Sequence, residues 1–151
     1  LLYSVTGDVP EEYYNVPLGK SVVCREGQDV TIVTYSGMVR VCLDAADKLS
    51  EQGIETEVID LRSLRPLDIE TSVKSVCKTG RAVVVEENWK TGGFGAEISS
   101  SLQENAFDYL ESPIIRISGE EVPMPYSRKL ESAAIPDASK VTITIKEMME
   151  I

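Results

Sequence analysis

The sequence predicts an α/β domain, a mainly parallel sheet covered by helices on both faces with one antiparallel strand at its edge. Three observations carry this. Short β-branched runs alternate with segments of helical period, glycines stand where those helices should stop, and no internal repeat or low-complexity tract interrupts the alternation. At 151 residues and 42% apolar content, the chain can bury roughly 70% of its unfolded surface in one core and has little left for a second.

The first strand with a clear signature is Asp29–Tyr35, DVTIVTY, a β-branched run bounded by polar turn residues. Ser21–Arg25, followed by Glu26, Gly27 and Gln28, reads as its hairpin partner and supplies the antiparallel edge. Ser36 is placed to cap a helix over Met38–Gln52. That helix puts Val39, Cys42, Leu43, Ala46 and Leu49 on one face and Arg40, Asp44, Asp47, Lys48 and Glu51 on the other, with Gly53 to stop it.

A strand at Glu57–Leu61, a helix from Asp68 to Lys78 ended by Gly80, and a strand at Arg81–Val85 repeat the pattern. Gly92, Gly93 and Gly95 lead into a helix over Ala96–Asn105, and Ile114–Ile117 is a further parallel strand. Right-handed crossovers then follow from the alternation. Pro123, Pro125 and Pro136 divide the last third into a loop, a short helix near Ser127–Ala134 and a final segment that Asp137 can cap as a helix. The run Val141–Ile145 opposes that helix, because its β-branched residues favour strand. Residues 1–20 read as an extended lead-in and 21–151 as the domain. Leu1 in place of Met, and the aperiodic stretch Leu1–Leu18, lead us to expect a piece of a longer chain.

A formal charge of −10 disfavours nucleic acid, which needs clustered Lys and Arg to displace counterions. Plain solubility is the preferred reading of that charge, with attraction of a basic protein partner as the alternative. No apolar run approaches the roughly 20 residues of a membrane span. Cys24, Cys42 and Cys77 are odd in number, lack CxxC spacing and fall in apolar segments; they read as small core residues of a reducing compartment. The absence of histidine removes the usual general base of a Ser or Cys hydrolase.

Glu86 and Glu87 end a strand at its carboxyl side, where open α/β sheets place functional groups. As neighbours on a strand they face opposite ways and cannot share a proton, so solvent-facing or interface carboxylates are the preferred reading. Thr91-Gly92-Gly93-Phe94-Gly95-Ala96-Glu97 lies between strand and helix as phosphate loops do, but it lacks the GxGxxG spacing and the Lys-Ser/Thr ending. Tight turns are the preferred explanation of its glycines. Trp89 and Phe94 are core residues or interface anchors. Arg62 and Arg65 are placed to clamp an anion, but pairing with Asp60 or capping of helix carbonyls is the preferred reading.

Taken together, these segments resemble one family, nearly end to end. Asp29-Val30-Thr31-Ile32-Val33, Glu57-Val58-Ile59-Asp60-Leu61-Arg62-Ser63-Leu64-Arg65-Pro66-Leu67-Asp68, Val85-Glu86-Glu87, Gly93-Phe94-Gly95-Ala96-Glu97-Ile98 and Val122-Pro123-Met124-Pro125-Tyr126 with Leu130-Glu131 are similar in order and spacing to the carboxyl-terminal domain of the beta subunits of pyruvate and other 2-oxoacid dehydrogenases. The resemblance implies a three-layer α/β/α fold with a five-stranded, mostly parallel sheet and one antiparallel edge strand, as in the transketolase carboxyl-terminal domain. Trp89-Lys90-Thr91 departs from the family's usual Trp-Pro-Gln.

The same resemblance implies a heterotetramer of two alpha and two beta subunits, with thiamine diphosphate and Mg²⁺ held by regions absent from this chain. It implies no catalytic, cofactor-binding or metal residue here and an isolated domain without activity. The implied partners are the alpha subunit, a second beta subunit and the basic subunit-binding domain of the lipoyl acyltransferase. Glu111, in Leu110-Glu111-Ser112-Pro113, and Ile151 are the docking residues carried over, with Glu86, Glu87, Trp89 and Phe94 as interface candidates. The implied compartment is bacterial cytoplasm or an organelle matrix. Two alternatives stand beside this. One is the corresponding domain of a transketolase or deoxyxylulose-phosphate synthase; the other is a small nucleotide- or phosphate-using enzyme built on the Gly93 loop, Arg62 and Glu87.

Overall fold

The structure is a computed structural model and describes residues 6–149. Residues 6–21 contain no helix or strand. The elements then run β1 (Val22–Arg25), β2 (Val30–Thr34), α1 (Met38–Ser50), β3 (Thr56–Asp60), α2 (Ile69–Thr79), β4 (Ala82–Trp89), α3 (Gly95–Ala106), β5 (Ile115–Gly119), α4 (Arg128–Ala134) and α5 (Ala138–Met149). The five strands lie in the order β1-β3-β2-β4-β5; β1 runs antiparallel to β3 and every other pair is parallel.

Strand alternation divides the core into two layers. Val30 and Ile32 of β2 with Val83 and Val85 of β4 pack against α1 and α5, whereas Val33, Ala82 and Val84 pack against α2 and α3. The sheet is therefore apolar on both faces, as a parallel sheet between helix layers must be.

One pairing corrects the sequence reading. β1 is the antiparallel edge strand, but it pairs with β3 and forms no hairpin with β2. Both edges of β2 are taken by parallel neighbours, and the β1–β2 connection crosses the end of β3, where the N–H groups of Gln28 and Asp29 donate to the Glu55 carbonyl at 3.0 and 2.9 Å. Gly27 lies so close that a Cβ there would stand 2.2 Å from the Thr56 carbonyl carbon.

Helix α1 begins after Gly37, and no side chain caps it; Ser36 has φ +57° and offers its carbonyl to the Val39 N–H. Helix α2 keeps both expected signals. Asp68 accepts from the Thr71 N–H and hydroxyl, and Gly80 closes the helix at φ +70° with its N–H on the Val76 carbonyl. The buried Asp68 carboxylate also accepts the Ser21 N–H at 2.9 Å, which ties the segment before β1 to this helix. At α5 the helix prevails over β-branched propensity. Asp137 accepts the Lys140 N–H at 2.7 Å, and Val141, Ile145 and Met148 are buried along one face against α1.

Of the cysteines, Cys42 is buried and burial pushes its thiol up to about 12, Cys77 is half-buried, and Cys24 is exposed on the edge strand. The core assignment of Cys24 is thus corrected: among the described residues β1 pairs with β3 alone and lies at the sheet edge, where that side chain is exposed.

Two carboxylates make the fold acid-sensitive. Burial alone would raise the Asp68 carboxyl, but hydrogen bonds from Ser21 and Thr71 outweigh it and hold the group below its ordinary value. For Glu57, burial is likewise outweighed by the Lys78 ammonium and by hydrogen bonds from Ser75 and the Gly27 N–H. Between each lowered native value and the ordinary one, the unfolded chain binds more protons. Stability is accordingly complete above the unfolded values, about 3.9 for Asp and 4.3 for Glu, and is lost as pH falls through the native ones. We expect the urea midpoint to be flat from neutral pH to about 5 and to fall below about 4. Asp68→Ala should cost about 2 kcal/mol at neutral pH, from a lost cap and a lost buried bond, and should flatten part of the acid limb.

Candidate functional site at the carboxyl end of the sheet

Alternation along β4 sends Val84 and Glu86 to the α3 side of the sheet, so a carboxylate enters the interior beside the helix start. Glu86 is 1% exposed, while Glu87 next to it is half-buried. The Glu86 carboxylate accepts the Tyr35 hydroxyl at 3.0 Å and the Gly95 N–H at 2.9 Å on one oxygen, and the Arg116 guanidinium at 3.1 Å on the other. Arg116 also donates to the Lys90 carbonyl at 2.7 Å, and Asn88 donates to the Tyr35 oxygen at 3.3 Å. Burial, then the nearby Glu86 charge and its hydrogen bond, push Tyr35 up to about 12, so it stands as a neutral donor.

This arrangement explains Gly93 and Gly95. A Cβ on Gly93 would lie 2.3 Å from the Trp89 carbonyl oxygen and 2.6 Å from the Glu86 carboxylate; one on Gly95 would lie 2.4 Å from the same carboxylate. Gly93 and Gly95 close over a buried carboxylate supplied by the protein itself, whereas Gly92, with nothing within 4 Å of a Cβ, takes φ +75° as a tight turn requires. No side chain of the Phe94–Gly95 turn caps α3, and Glu86 from the adjacent strand takes that role. The amino end of α3, where a phosphate would be held, is already occupied.

Glu86 thereby corrects the expectation of a solvent-facing or interface carboxylate. The alternation that separates Glu86 from Glu87 was readable, but which of the two points inward depends on where α3 and Arg116 pack. Trp89 is 50% exposed, and its indole N–H reaches the Val122 carbonyl at 3.2 Å; Phe94 is half-buried against the α2–α3 layer. Trp89 and Met124 with Glu87, Asn88 and Gly93 line a cleft of about 410 Å³, and Phe94 and Gly93 border another of about 850 Å³ beside Leu64, Arg65 and Pro66. Arg62 pairs locally with Asp60, at 3.9 Å through its side chain and at 3.0 Å through its N–H.

Tyr35, Asn88 and Arg116 escaped the sequence reading. Arg116 carried a usable signal, because an arginine inside the apolar run Ile114–Ile117 needs a carboxylate from a neighbouring strand.

Glu111 lies at the opposite end of the sheet. Its N–H donates to the Gly80 carbonyl at 2.8 Å and its carboxylate pairs with Arg81 at 2.5 Å, while the side chain remains 60% exposed. The side chain lies over Gly80, where a Cβ would come within 2.9 Å of it. Ile151 falls outside the described residues. Among the described residues, no three His, Cys, Asp or Glu side chains converge to hold a metal ion, and no helix is long and apolar enough to cross a membrane.

Residues 19–141 match the family model described as transketolase, C-terminal domain. The chain is 47% identical to the mitochondrial pyruvate dehydrogenase E1 component subunit beta of Dictyostelium discoideum, over 99% of this chain and 43% of that protein. It is 46% identical to the corresponding Rickettsia felis subunit, over 98% of this chain and 45% of that one, and 43% identical to the mitochondrial subunit of Bos taurus, over 100% and 44%. It thus spans less than half the length of these relatives.

Among solved structures, a split gene transketolase, described as an inactive beta4 tetramer, superposes with a TM-score of 0.72 at 30% identity, over 92% of this chain and 45% of that one. The 2-oxoglutarate:ferredoxin oxidoreductase from Magnetococcus marinus, at TM-score 0.54 and 14% identity over 85% of this chain and 19% of that one, shares the fold. With the strand order, the antiparallel edge strand and a model match over 19–141 in agreement, the chain belongs to the transketolase C-terminal domain family.

Proposed function

We propose that this chain is the assembly and docking domain of a pyruvate dehydrogenase E1 beta subunit, and that it has no complete active site of its own. The observation that carries this is the nearly end-to-end identity of 43–47% with E1 beta subunits, joined to a fold whose anion position is filled by its own Glu86. The whole enzyme would decarboxylate pyruvate and reductively acetylate a lipoyl group. The alpha subunit and a second beta subunit would complete it, in a bacterial cytoplasm or an organelle matrix.

The described residues do not fit thiamine diphosphate or Mg²⁺. The α3 amino end is closed to a diphosphate by Glu86, and no cluster of metal-ligating side chains forms among these residues. The residues here supply contact surfaces, and Glu87, Trp89 and Phe94 are proposed to meet neighbouring subunits at the carboxyl end of the sheet. The nucleotide-enzyme reading loses its main support, since the Gly93 loop holds Glu86 and Arg62 pairs with Asp60.

Glu111 and Ile151 are proposed to receive the subunit-binding domain of the lipoyl acyltransferase. The exposed carboxylate of Glu111 and an overall charge of −10 suit a basic partner. In the intact protein, Glu111→Lys should weaken that binding at least about tenfold at low salt, about 1.4 kcal/mol, with a smaller loss at high salt. Unchanged affinity at low salt would remove Glu111 from the docking site.

A further inference from the structure

A second exposed surface lies at the other end of the sheet from Glu111. Helix α1 starts after the carboxyl end of β2, whereas Glu111 is bonded to Gly80 at the amino end of β4. Beside α1, the turn from α4 into α5 leaves an open groove of about 580 Å³. Its floor is apolar: Met38 and Val41 from α1, with Ile135, Pro136 and Ala138 from the turn.

The rim is acidic. Asp44, Glu131 and Asp137 line it against one cation, Arg128. Among the described residues none of the three carboxylates forms an ion pair, and Asp137 uses one oxygen to accept the Lys140 N–H. An unpaired acidic rim around an apolar floor is complementary to an aliphatic side chain flanked by lysine or arginine. We infer that this groove docks a cationic segment of a partner protein, which inserts an aliphatic anchor over Val41 and Ile135 and sets its basic residues against Asp44, Glu131 and Asp137. The inference stands apart from Glu111 docking, because no rim or floor residue is shared.

The test uses the intact protein in its native assembly and a fluorescein-labelled peptide of two leucines flanked by lysines, with the glutamate-flanked peptide as its counterpart. Anisotropy at low salt should show saturable binding of the lysine peptide and none of the glutamate peptide. Asp44→Lys with Glu131→Lys should weaken it at least about tenfold, whereas the same charge change on α3, Glu97→Lys with Glu104→Lys, should cost less than about threefold. Val41→Ser, which leaves the charge alone, should also weaken binding, so the inference stays testable if the double lysine variant does not fold. Equal losses in both charge variants would show attraction to bulk charge and overturn the inference, as would the absence of saturable binding. Self-association that Val41→Ser abolishes would overturn it in favour of a second copy.

Discussion

Replacing Glu86 with alanine should lower the unfolding free energy by about 3–5 kcal/mol, because it removes the buried carboxylate that pairs with the Arg116 guanidinium and leaves that cation partly buried without it. The Arg116 side chain is 17% exposed, so water recovers only part of that loss. The Tyr35 hydroxyl and the Gly95 N–H lose their acceptor in the same step. For a domain of this size the melting temperature should fall by roughly 10 °C. Glu86→Gln keeps the shape but gives up the charge, and should lie between the two. Amide exchange over residues 92–96 should quicken in both variants, since the loop loses the group it closes over. A melting curve within 2–3 °C of the parent, about 1 kcal/mol, would mean the buried carboxylate is not what holds β4, β5 and α3 together.

Gly27→Ala should be nearly as damaging, at about 3 kcal/mol. The added methyl would lie 2.2 Å from the Thr56 carbonyl carbon, 2.3 Å from the Glu57 nitrogen and 2.6 Å from the Glu55 oxygen. All three are backbone atoms of β3 or its lead-in, so no side-chain rotation can make room. Relief requires shifting the β1–β2 connection, which disturbs the β1–β3 pairing and the bond from the Gly27 N–H to Glu57. Gly7→Ala, with nothing within 4 Å of the new methyl, is the matched control and should leave the urea midpoint unchanged. Equal midpoints for the two variants would refute the close approach.

Much of the layer architecture is legible in the sequence, and the reasons are local. Asp68 and Gly80 bracket α2 because a carboxylate oxygen and a residue free to take positive φ are what helix ends require, whatever surrounds them. The α1 stripe is legible for the same reason: Cys42, Ala46 and Leu49 follow the helical period and are buried. Pairing of β1 is a tertiary property. Nothing in Ser21–Arg25 says that β2 will have both edges covered, and the short Glu26–Gln28 connection imitates a hairpin turn.

The candidate site was legible only in its address. Its position after a strand marked the Glu86–Gly95 stretch, yet its role depends on Tyr35, just beyond β2, and Arg116 of β5, 51 and 30 residues away. Only packing could show that Gly93 and Gly95 enclose a carboxylate of the protein. Glu111 entered through family resemblance. The geometry adds what that could not supply, an intramolecular partner in Arg81 that holds the carboxylate in place yet leaves it exposed.

If this domain serves assembly and docking through an acidic surface, its affinity for a basic partner must depend on salt. The most direct measurement is calorimetric titration of the intact protein, at low and at moderate salt, with the subunit-binding domain of the lipoyl acyltransferase from the same source. Saturable binding that weakens as salt rises is the expected result; a folded protein that binds at neither salt would overturn the docking role.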